Sequence, residues 1–116
     1  MSLVQALPKR KLLALANLPR DAFFTLTLTN SDSGRTVNLV PEYNMIGLDV
    51  QIVNPTSSTT QVTVTINQDK TMTLNAGETF GFTNVLFDKL YFVIGTGATC
   101  EIYFAGVSLD LLEVIS

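Results

Sequence analysis

The sequence predicts an all-β fold, a single antiparallel β-sandwich or jelly-roll-like barrel of about eight short strands with extended N- and C-terminal arms. Three observations carry that expectation. From Ala22 onward apolar and polar residues alternate with period two, the spacing that sends successive side chains to opposite faces of a pleated strand. Clusters of Asn, Asp, Ser, Gly and Pro break the alternation at close intervals. A chain of 116 residues, 47% hydrophobic and 15% charged, has apolar material for one core and not for two. The division expected is an N-terminal arm at residues 1–21, a β-sandwich domain at 22–107 and a C-terminal tail at 108–116.

The elements follow in order. Phe24, Leu26 and Leu28 alternate with Thr25, Thr27 and Thr29, a pattern of aromatic and β-branched residues suited to a half-buried strand. Asn30, Ser31, Asp32, Ser33 and Gly34 supply turn chemistry before residues 36–40 resume an extended pattern, so the pair reads as a hairpin. After a break at 41–44, residues 47–54 place Leu48, Val50 and Ile52 on one side, and Asn54, Pro55, Thr56, Ser57 and Ser58 end that strand in a polar turn. Val62, Val64 and Ile66 alternate with Thr63, Thr65 and Asn67, and the short turn Asn67, Gln68, Asp69 predicts antiparallel pairing with residues 71–74. Asn75, Ala76, Gly77 and Glu78 form the next turn, before Phe80 and Phe82. Residues 87–94 and 99–107 complete the series, separated by Gly95, Thr96 and Gly97, which read as a hairpin turn needing positive φ.

The two ends are apolar. Residues 9–18 have room for a helical turn or two after Pro8, too little to be stable without docking. The tail carries Leu109, Leu111, Leu112, Val114 and Ile115 around Asp110 and Glu113. With a mean hydropathy of +0.34, some of this surface is expected to meet another chain. The candidate oligomer contacts are Leu12, Leu13, Leu15, Leu109, Leu111 and Leu112. Lys9, Arg10 and Lys11 ahead of Leu12 to Ala16 copy the outline of a secretory signal, but the apolar run is short and residues 17–20 make a poor cleavage site. No segment reaches the roughly 20 apolar residues that a helical membrane span requires.

Catalytic chemistry is hard to assemble from these residues. The chain has no histidine, which removes the usual base of a serine or cysteine triad and the commonest metal ligand. A Ser–Lys dyad would have to use Lys70 or Lys89, for which solvated turn positions are the simpler explanation. Asp49, Glu78, Asp88 and Glu101 are the carboxylates a glycosidase would need in a pair, yet turns and strand ends account for them. Gly95 and Gly97 start a G-x-G pattern with no helix after it, so they make no phosphate cradle. Asn30, Asp32 and Ser33 offer oxygens at close spacing for calcium, without the EF-hand spacing or its closing glutamate. Cys100, the single cysteine, lies in an alternating apolar segment and reads as a buried, inert thiol. No enzyme activity, catalytic residue, metal or cofactor is expected.

Charge is unevenly spread. Lys9, Arg10, Lys11 and Arg20 are four of the seven basic residues, and residues 21–116 hold three basic against ten acidic ones. A basic arm on an acidic body suits a neighbouring subunit's acidic face, an anionic surface or nucleic acid, the last through the arm alone because the body repels phosphate. Phe23 with Phe24, and Tyr103 with Phe104, are informative pairs. Adjacent strand residues face opposite ways, so one of each must leave the core.

Ile52, Val53, Asn54 and Pro55 before a Thr-rich strand, the turn Ala76, Gly77, Glu78, and the late Gly95, Thr96, Gly97 segment together resemble the small β-sandwich structural proteins of bacteriophage virions, of the capsid decoration or head and tail accessory type. The resemblance covers residues 50–107. It implies a symmetric, non-catalytic virion component, with other virion or surface proteins as partners, and carries over no functional residue. The function expected is therefore a non-enzymatic assembly protein forming a homo-oligomer in a phage virion. The alternative is a small ligand-binding β-sandwich such as a carbohydrate-binding module, with Tyr43, Tyr91 or Tyr103 as the stacking platform in a chain without tryptophan.

Overall fold

The computed structural model describes residues 18–111. Eight strands follow one another: β1 (Ala22–Thr29), β2 (Thr36–Asn38), β3 (Met45–Val53), β4 (Val62–Ile66), β5 (Lys70–Leu74), β6 (Thr79–Phe82), β7 (Lys89–Ile94) and β8 (Thr99–Ser108). A 3-10 turn, Asn30–Asp32, follows β1, and one short helix, α1 (Leu39–Tyr43), stands between β2 and β3. The strands form two four-stranded sheets, ordered β1-β8-β3-β6 and β2-β7-β4-β5, with every pairing antiparallel. Every connection except β4 to β5 crosses from one sheet to the other. That is jelly-roll topology, and the all-β sandwich expected from the alternation is the observed fold.

The main core lies between the sheets. Leu28, Val37, Val50, Ile52, Val62, Val64, Leu90, Phe92, Ile94, Cys100, Ile102 and Phe104 meet there, drawn from alternate positions of six strands. Fully burying side chains of this size stabilises by roughly 1.5–3 kcal/mol each, which makes this layer the principal source of stability. A smaller cluster gathers Ile46, Leu48, Leu86 and Val107, with Leu18, Val40, Leu109 and Leu111 packed on it. A bulge in β3 between Gly47 and Asp49 separates the two, because it shifts the strand's phase by one residue. Met45 before the bulge and Val50 and Ile52 after it all reach the main core, whereas Leu48, read from sequence as a companion of Val50, serves the smaller cluster.

Two expected hairpins are corrected. β1 and β2 belong to different sheets. The turn between them is tied to β7: the Asn30 amide donates to the Ile94 carbonyl at 2.6 Å, Ser33 Oγ accepts the Ile94 N–H at 2.9 Å, and the Gly34 N–H reaches the Phe92 carbonyl at 2.7 Å. These bonds carry the chain across to the second sheet instead of back along the first. The 95–97 segment likewise crosses from β7 to β8 and is held by residues 59–61, with the Gly95 N–H on the Gln61 carbonyl and the Thr59 N–H on the Gly97 carbonyl. Gly97 has the positive φ, 85°, and Gly95 does not. The 41–44 break is the end of α1, which Asn44 closes in the left-handed conformation at φ 53°. The β4–β5 hairpin stands as expected, in register from Val62 opposite Leu74 to Ile66 opposite Lys70.

Candidate functional site

The outer face of the β1-β8-β3-β6 sheet is built by the alternate positions that the core does not use. Phe23, Thr25 and Thr27 of β1 stand beside Ala105, Tyr103 and Glu101 of β8, and Asp49 and Gln51 of β3 continue the rows. A shallow depression opens over Ala105, walled by Phe23, Thr25, Tyr103, Gln51 and Thr83. Of the two aromatic pairs, Phe104 is buried and Phe24, 37% exposed, packs its ring against it, while Phe23 and Tyr103 face out, Phe23 with 70% of its surface exposed. Phe24 and Phe104 stack with Tyr43 of α1, at ring-centroid distances of 4.7 and 5.1 Å from the tyrosine.

The opposite face, on the β2-β7-β4-β5 sheet, carries Tyr91 and Val93 among threonines. The hydroxyls of Thr63 and Thr73 lie 3.2 Å apart and those of Thr65 and Thr71 3.0 Å apart, cross-strand pairs that order the face without charge. Tyr91, Thr36, Thr65, Gln68 and Lys89 surround a small hollow there.

This placement corrects the tyrosine platform. Tyr91 and Tyr103 lie on opposite faces and Tyr43 packs against the core, so no two of them form one stacking surface. The carboxylates are also apart in their attachments. Asp49 receives Arg20, with Nε at 2.8 Å and Nη2 at 3.0 Å, and the Asn84 backbone N–H at 3.1 Å. Arg20 also donates to the Leu18 carbonyl and the Asn84 side-chain oxygen. The guanidinium hydrogen bonds hold the Asp49 carboxyl below its ordinary range, against the opposing effect of burial. Glu78 accepts the Asn75 N–H in the β5–β6 turn, Asp88 is buried at the start of β7, and Glu101 lies on the outer face within 3.4 Å of the Tyr103 hydroxyl. Asp32 accepts the Thr29 N–H at 2.9 Å, which puts the proposed calcium oxygens to structural use. Among the described residues no three His, Cys, Asp or Glu side chains are grouped to hold a metal ion, and no helix is long and apolar enough to cross a membrane. Cys100 is fully buried and burial pushes its thiol up to about 12.

Of the candidate oligomer contacts, Leu109 and Leu111 pack on the smaller cluster of their own chain. Leu12, Leu13, Leu15 and Leu112 lie outside the described residues, as do Lys9, Arg10 and Lys11. Two features were missed in the sequence: the Arg20, Asp49 and Asn84 network, and the placement of β1 at a sheet edge. Neither had a signal in the sequence, since an uncharged strand such as residues 22–31 reads as an interior one.

No family model matches the chain, and no curated protein does. Among solved structures it is similar to the core of the Drosophila protein NLP, whose crystal structure bears on pentamer formation and histone binding. The likeness has 18% identity and a TM-score of 0.48, over 76% of this chain and all of that one. No property of NLP passes to this chain at that level of likeness. The virion role expected from the sequence is corrected: the solved structure found similar is described by pentamer formation and histone binding, not as a virion component.

Proposed function

We propose that this chain is a non-catalytic β-sandwich whose function is to associate with copies of itself. The observation that carries the reading is the apolar surface on the outer face of the β1-β8-β3-β6 sheet, where the exposed rings of Phe23 and Tyr103 flank the same depression. A self-contact over that face removes the two exposed rings from water. Charge does not oppose the contact. On the β1-β8-β3-β6 face the acidic groups are Asp49, which Arg20 neutralises, and Glu101.

Sedimentation equilibrium over a wide concentration range tests this. The expected result is reversible association, weakened when Phe23 and Tyr103 are both changed to serine. A monomer at every concentration would overturn it.

A further inference from the structure

The free edges of the two sheets differ in how they are guarded. β2 has three residues, β6 has four, and β5 begins at the charged Lys70, each a device that discourages pairing with another chain. β1 has none of them. It is eight residues long, it carries no charge and no proline, and its pairing with β8 runs unbroken from Ala22 to Thr29.

The backbone sets which residues face outward along that edge. The Thr29 N–H is taken by Asp32, so it does not point at β8. Alternation in an antiparallel ladder then turns the N–H and C=O of Phe23, Thr25 and Thr27 away from β8 as well. Among the described residues none of these groups has a partner. The three are symmetric about Thr25. Four residues before it the Asp21 N–H bonds to the Gly106 carbonyl, and four after it Asp32 caps Thr29, so both limits of the open segment are equidistant from its centre.

We propose that β1 pairs antiparallel with β1 of a second copy across a two-fold axis at Thr25, joining two four-stranded sheets into one. This rests on the self-association proposed above and adds to it a contact along the strand edge, beside the outer face that carries Phe23 and Tyr103. Phe23 then stands opposite Thr27 of the second copy, Thr25 opposite its own mate, and the three pairs exchange about six hydrogen bonds. A strand centred on its own two-fold position is self-complementary by symmetry, which is the argument for a second copy over an unrelated strand. No like charges meet, because the segment has none.

Cysteine cross-linking tests the register. The mates of Thr25→Cys would sit about 5.5 Å apart between Cα atoms, within disulfide reach. Those of Thr27→Cys would be offset by four residues, about 13 Å along the strand, and out of reach. Thr63→Cys on the other sheet reports face-to-face contact. Cys100 is buried and does not compete. Under mild oxidation the expected result is a covalent dimer from Thr25→Cys alone. Thr25→Pro removes a donor that β8 does not use, and should weaken association about tenfold or more with the fold intact by circular dichroism. If the wild-type chain associates but Thr25→Cys does not cross-link, or Thr63→Cys does so in its place, the edge pairing is wrong and self-association stands. If Thr25→Pro associates as tightly as wild type, the edge pairing is again wrong. A wild-type monomer overturns both.

Discussion

Arg20 joins the start of the described chain to β3 through Asp49 and to the β6–β7 connection through Asn84. These three residues are far apart in sequence, so their meeting had no signature in spacing or composition. The pH dependence follows from the carboxylates. Asp49 is held down first by the Arg20 hydrogen bonds, and Asp21 by the Ser108 hydroxyl and N–H. A folded-state pKa below the unfolded value of about 3.9 means that the unfolded chain binds more protons between the two, so the stabilisation is present above about pH 4 and is lost as pH falls through the folded value. Urea unfolding of the wild type should therefore weaken below about pH 4, and Asp49→Asn should show a shallower fall that retains the Asp21 share. An identical slope in both proteins would show that Asp49 contributes nothing. Cys100 was legible from its apolar neighbours, and its environment makes a second prediction. With the thiol pushed up to about 12 and no exposed surface, it should react with an aromatic disulfide reagent at neutral pH only as fast as the sandwich opens. Rapid labelling under native conditions would contradict its burial.

At the scale of elements, β4 and β5 were readable because their partner is the next strand along the chain and a short turn sets the register. The remaining connections cross between sheets, and period-two alternation reports which way a side chain faces but not which strand lies beside it. The bulge in β3 shows how much such a detail decides. Gly47 is bridged to Phe87 by two backbone hydrogen bonds, its N–H to the Phe87 carbonyl at 2.8 Å and the Phe87 N–H to its carbonyl at 2.9 Å. The Phe87 ring occupies the space a side chain at position 47 would need. Gly47→Ala is therefore expected to destabilise by about 1–3 kcal/mol, read as a lower urea midpoint at unchanged slope. A midpoint within error of wild type would mean that the ring has room to move aside.

For the whole molecule, inward and outward aromatics on the same strands separate folding from association. Phe104 is buried between Phe24 and Tyr43, and truncation to alanine should cost about 3–5 kcal/mol at any protein concentration. Phe23, one residue from Phe24 on the opposite face, should lose no more than about 0.5 kcal/mol of monomer stability on the same change. It should instead flatten the rise of Tm with protein concentration that association produces. Calorimetry at two concentrations distinguishes the variants, and a large loss of stability in Phe23→Ala at high dilution would place that ring in the core. The sequence by itself determined the all-β class, the positions of most strands, that one of Phe23 and Phe24 and one of Tyr103 and Phe104 must leave the core, and the burial of Cys100. All of these depend on local alternation, which each segment carries within itself. Only the tertiary structure decided that β1 and β2 part company, that Tyr91 and Tyr103 face opposite ways, that Leu109 and Leu111 pack on their own chain, and that β1 is an open edge. Those facts depend on which strand lies next to which, and that is settled by contacts between residues distant in the chain.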